Sequence, residues 1–188
     1  MTRLAVAALL GGIAMFVWGA ISHMLTPLGE AGIRPLPAEA PVLDALRANV
    51  PEAGLYLFPG MDETARKTEA GQAAWAQRYA AGPVGILVFR PQGEQPMNAK
   101  LFGVELLGDV LAAAVAAWVA THGRTYGRRL ALVTLLGLAA WASIEVSYWN
   151  WYGFPSSYVM AQLADQVGGF LFAGLVIAKL VRPADAAA

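Results

Sequence analysis

Residues 142–169 read ASIEVSYWNWYGFPSSYVMAQLADQVGG, and this stretch decides the fold. An apolar helix runs out through Glu145 into an aromatic group, Tyr148-Trp149-Asn150-Trp151-Tyr152. It turns at Gly153-Phe154-Pro155 and goes back through Gln162 and Asp165. Trp and Tyr gather where hydrocarbon meets water, so the stretch is expected to be the tip of a transmembrane hairpin lying in that interface. Glu145 stands about four residues before the tip and Asp165 about ten after it, so both carboxylates fall inside the membrane, where ionisable groups are costly and usually functional.

The composition agrees with this reading. The 188-residue chain is 57% hydrophobic and 14% charged, with a mean hydropathy of +0.51, which is too apolar for an ordinary soluble domain. Its formal net charge of zero gives no electrostatic footprint for a nucleic acid, so no such partner is expected. The absence of Cys excludes disulfides, thiolate metal sites and a thiol nucleophile. Besides the hairpin arms at 130–149 and 157–180, residues 4–25 and 101–121 are apolar over a length that crosses about 30 Å of hydrocarbon. Arg3 ahead of the first run resembles the start of a signal peptide. The run is longer than a signal core, however, and Ala20-Ile21-Ser22 is a poor cleavage site, so a retained first helix is expected over 1–26.

Residues 27–100 change character. Most of the Pro and more than half of the Asp, Glu, Arg and Lys lie here, and no apolar run is long enough to span. The pattern predicts a helix from Pro41, a strand over 54–59, a helix capped by Asp62 running to about Ala81, and a strand over 84–89. Which strands pair is open at this point. The expected architecture is therefore a membrane all-α protein: a four-helix transmembrane bundle with a small extracytoplasmic α+β cap inserted between helices one and two. Residues 101–188 supply helices two to four and a short tail. Arg3, Arg124, Arg128, Arg129, Lys179 and Arg182 fall on one side, while the 150–156 loop carries no charge. The positive-inside rule then puts both termini in the cytoplasm and residues 27–100 outside, at a bacterial inner membrane.

With a rise of about 1.5 Å per residue, depth follows from counting. His23 falls within about a turn of the outer end of helix one. Glu105 and Asp109, spaced i,i+4 on one face, fall about one and two turns down helix two. Glu145 and Asp165 sit at comparable depths on helices three and four. Five ionisable groups thus share the outer half of the membrane, and four carboxylates cannot all stay ionised at low dielectric. They would be protonated, paired with Arg34, Arg90 or Lys100, or bound to a divalent metal ion. His23, Glu105, Asp109, Glu145 and Asp165 are the candidate metal ligands, a donor set for hard or borderline ions. Glu105, Asp109, Glu145 and Asp165 are the candidate catalytic groups, as general acids or bases toward an amphipathic substrate. The Glu-x-x-His pairs of a di-iron bundle are missing. Ser22-His23 and Ser143/Ser147 are nucleophile candidates without the surrounding elbow of a hydrolase. Two readings stay open: a membrane-embedded site open to the outer face that binds a divalent metal, a proton or a small amphipathic ligand or is catalytic, and a non-catalytic accessory subunit of a larger membrane complex. The lipid bilayer is the expected partner in both, with other membrane subunits or a second copy of the chain in the second.

Overall fold

The computed structural model describes residues 2–183, and seven helices account for most of them. Four are long and apolar enough to cross a membrane: α1 (Thr2–Met24), α5 (Ala99–Ala120), α6 (Tyr126–Tyr152) and α7 (Ser156–Leu180). These four form one compact unit together with the 3-10 turn Pro27–Glu30. Residues Pro35–Gln95 form a second.

Neighbouring helices in the bundle run antiparallel, and glycines set their spacing. A Cβ on Gly12 would lie 2.6 Å from the Val110 backbone, so α1 and α5 touch main chain to side chain there. On Gly137 it would lie 2.6 Å from the Gln166 carbonyl, which fixes the α6–α7 approach. Close contact through small residues is how helices associate where lipid removes the hydrophobic drive between them. The buried core follows the same rule. Ala7, Ala113, Ala116, Ala117, Ala120 and Ala173 close around Val133, Phe170 and Ile177.

This alanine-rich core fills the half of the bundle that holds the first turns of α1 and the last turns of α7. The same end is tied by Arg129, whose Nε donates to Ala178 O at 2.9 Å and whose Nη1 donates to Gly123 O at 3.2 Å. Arg3, Arg124, Arg128, Lys179 and Arg182 belong to this end too. At the other end α6 continues through the whole aromatic group to Tyr152. Gly153 stops it in the left-handed conformation, φ 71°, that a glycine adopts without strain. Phe154 stacks on Tyr148 at 5.3 Å and tilts against Tyr158 at 5.2 Å, so the turn is packed by its own rings.

The Pro35–Gln95 unit contains α2 (Glu39–Asn49), β1 (Gly54–Phe58), α3 (Glu63–Arg66), α4 (Glu69–Ala81) and β2 (Gly85–Phe89). The strands pair antiparallel with Leu55 opposite Val88 and Leu57 opposite Ile86. α4 is pinned to the end of β1 by Trp75 Nε1, which donates to Pro59 O at 2.9 Å, and by Arg78, which donates to Gly60 O at 3.0 Å. The helix expected from Asp62 to Ala81 is two helices. Asp62 does cap the first, accepting from the Ala65 N–H at 2.7 Å, but Thr68 caps a new one by accepting from the Gly71 N–H at 3.1 Å. A second good N-cap in mid-run restarts the helix.

Candidate functional site

Because the Ala-rich half of the bundle packs tightly, the polar half stands open. A cavity of about 410 Å³ lies among α1, α5 and α7. His23 comes from α1, Glu105 and Asp109 from α5, and Asp165 from α7. Met15, Phe16, Trp18 and Phe102 make the apolar wall. Four of the five residues expected from the sequence therefore share one cavity.

The best-ordered part is the α1–α7 contact. Ser22 is fully buried, and its hydroxyl donates to Asp165 Oδ1 across the helix interface. The same oxygen lies 2.9 Å from His23 Nδ1, which is also 3.1 Å from the Gly19 carbonyl. Gly19 O is an acceptor only, as is an ionised Asp165. The Ser22 hydroxyl also lies 3.1 Å from the Gly19 carbonyl, and with a proton on His23 Nδ1 the histidine donates to serine while serine donates to aspartate. The His23 and Asp165 side chains are 49% and 17% exposed and stand 3.9 Å apart, with Ser22 bridging them. This order is unsuited to nucleophilic catalysis, since Ser22 is buried and its proton points to a carboxylate rather than to the histidine base.

Trp18 completes the contact. Its Nε1 donates to the Asp165 carbonyl at 3.0 Å, and its ring stacks on Phe172 at 4.9 Å. Gly168 makes room for it, since a Cβ there would fall 2.6 Å from the indole. Trp18, Phe102 and Gln166 were not evident as site residues in the sequence. The available signal was the i,i+4 spacing of Trp18 and Ser22, which puts them on one face of α1.

Glu105 is exposed to the cavity mouth, and Asp109 lies within electrostatic reach of both Glu105 and Asp165. Three carboxylates from two helices therefore focus negative potential into one apolar-walled recess. Among the described residues no Lys or Arg forms an ion pair with any of them. Arg90, one of the expected countercharges, pairs with Glu94. Among the described residues there is also no group of three or more His, Asp or Glu side chains that could hold a metal ion.

Glu145 does not line this cavity. Gly137 and Trp141, whose Nε1 donates to Val159 O at 2.8 Å, turn one face of α6 onto α7, and Glu145 lies on that same face. It is 8% exposed in the α6–α7 seam, interacts electrostatically with Tyr158, and leaves Oε2 without a hydrogen-bond partner. Comparison with family models, curated proteins and solved structures finds no match to this chain.

Proposed function

We propose that this multi-pass membrane protein binds a small amphipathic organic cation in the recess formed by α1, α5 and α7. The observation that carries the reading is the pairing of Glu105, Asp109 and Asp165, all without a Lys or Arg partner among the described residues, with an apolar wall of Trp18, Phe16, Phe102 and Met15. Carboxylates supply the countercharge and aromatic faces attract a cationic head. A recess of about 410 Å³ suits a ligand of modest size. Glu105, the more exposed, and Asp109, one turn deeper on α5, are cation-holding groups. Asp165, fixed by Ser22, is the inner one. A divalent metal is the weaker candidate, because only pairwise proximity among the donors supports it. Any acid–base chemistry would fall to Asp109 and His23, with Glu145 outside it.

In this reading both termini are cytoplasmic, residues 27–100 form an extracytoplasmic cap, and the recess opens outward at a bacterial inner membrane. The gathering of Arg3, Arg124, Arg128, Lys179 and Arg182 at the opposite end supports that orientation. An accessory or assembly role is the second reading. It is favoured by the β-ribbon, where Leu55 and Val88 face each other across the strands and remain 71% and 72% exposed. Calorimetry of the full chain in nanodiscs tests the first reading, using an alkyltrimethylammonium ion against the neutral alcohol of the same chain length. Saturable binding of the cation alone is expected. Equal responses to both would reduce the recess to a lipid-filled gap.

A further inference from the structure

At the end of the bundle opposite the recess, α1 and α7 flank a second, chemically different site. Arg3 and Val6 on α1 and Lys179 and Leu180 on α7 line a cleft of about 260 Å³. Directly along the same seam runs an apolar groove of about 400 Å³, lined on α1 from Leu10 through Val17 and Trp18 to Ile21 and on α7 by Phe172 and Val176. The two are continuous in helical register. On α1, positions 3, 6, 10, 13 and 17 advance by three or four residues, and on α7 positions 180, 176 and 172 step back by four, so each set is one stripe. Apart from the Trp18 ring stacked on Phe172, the track stays open among the described residues: Leu10, Val17 and Phe172 are 42%, 50% and 41% exposed.

We infer that the α1–α7 seam is a binding site for one anionic phospholipid, its phosphate held between Arg3 and Lys179 and one acyl chain lying along the groove toward Phe172. Charge complementarity identifies the headgroup. Two cations project from neighbouring helices into one cleft, and among the described residues no carboxylate lies within ion-pair distance of either. Length identifies the rest. From Leu10 to Ile21 the groove runs eleven residues, about 16 Å of helix, which matches one leaflet of a hydrocarbon core about 30 Å thick. Basic clefts between spanning helices are where anionic headgroups bind tightly, and each Lys or Arg near the surface strengthens the attraction. The cationic cleft lies at the opposite end from the recess; the groove reaches Trp18, which also walls the recess, and the lipid assignment does not depend on the ligand proposed there.

Native mass spectrometry of the detergent-purified full chain tests this, with phosphatidylglycerol and phosphatidylcholine of identical chains as probes. One phosphatidylglycerol should be retained in preference to phosphatidylcholine. Arg3→Ala and Lys179→Ala should each weaken retention about fivefold, and the double variant about thirtyfold. Arg128→Ala removes a cation at the same end but outside the cleft, and should change nothing. Ala14→Trp fills the groove with both cations intact and should also lower retention, which separates a seated lipid from one attracted by charge alone. Equal retention of the two lipids, or an Arg128→Ala loss as large as that of Lys179→Ala, would overturn the assignment.

Discussion

The Ser22 hydroxyl on α1 donates its proton to the Asp165 carboxylate on α7, with no part of Ser22 exposed. A single polar contact across two helices thus fixes the inner acid of the recess. Ser22→Ala removes a side-chain donor to Asp165 while leaving the chain trace unchanged. Because the Asp165 side chain is 17% exposed, the expected cost is about 1 kcal/mol, the net worth of one hydrogen bond. A fall in the thermal midpoint of the detergent-solubilised protein would show it, whereas an unchanged midpoint would mean that water satisfies Asp165 equally well.

Gly168 and Trp18 form a second pair across the same interface. Gly168→Ala pushes a methyl group to 2.6 Å from the indole, which must swing and give up its bond to the Asp165 carbonyl. Overpacking of this kind costs about 1–3 kcal/mol. In a Trp18→Ala background the three nearest atoms, all of the indole, are gone, so its cost should fall sharply. Strong coupling in that double-mutant cycle is the expected result, and simple additivity would contradict the contact.

Glu145 presents the opposite case, a buried carboxylate whose Oε2 has no partner. Glu145→Gln removes the charge and keeps the shape. Stability should hold or rise, because the amide keeps the shape and cannot take on the desolvated charge that the carboxyl group would carry when ionised. It should leave binding in the recess unaltered. Loss of stability in this variant would reveal a partner for the carboxylate in the α6–α7 seam.

Much of this arrangement could be read from residue order alone. Four apolar runs and an aromatic turn at 148–155 were enough for the spans, because length and hydropathy determine what crosses a bilayer. Depth was legible too, since counting residues at a fixed rise put His23 and Glu105 about one turn and Asp109 and Asp165 about two turns from the outer ends, and these four line one cavity. Azimuth was not. Glu145 has the right depth and the wrong direction, because α6 is rotated by the fit of Gly137 against Gln166 and by the Trp141–Val159 hydrogen bond, contacts invisible in sequence. In the Pro35–Gln95 unit the helix break at Lys67-Thr68 escaped for a related reason. Thr68 is an ordinary helix residue in composition and becomes a cap only when its hydroxyl meets the Gly71 N–H.

The natural absence of cysteine makes sidedness directly measurable. Single replacements Trp151→Cys at the aromatic turn and Arg128→Cys at the basic end should behave differently toward a membrane-impermeant maleimide applied to intact cells. Labelling at 151 alone is expected from the proposed orientation, with 128 reacting only after permeabilisation. The reverse pattern would place the recess on the cytoplasmic face.

The most direct measurement of the central claim compares the wild-type chain with the double variant Asp109→Asn and Asp165→Asn, by calorimetry with an alkyltrimethylammonium probe in nanodiscs. Asparagine keeps the shape and removes both charges. Each lost carboxylate should weaken binding by about tenfold, in line with a unit-charge attraction of about 1–4 kcal/mol at roughly 4 Å near a protein surface. A folded double variant that no longer binds the cation is the predicted result. Undiminished binding by the folded variant would contradict an acidic recess as the site of ligand recognition.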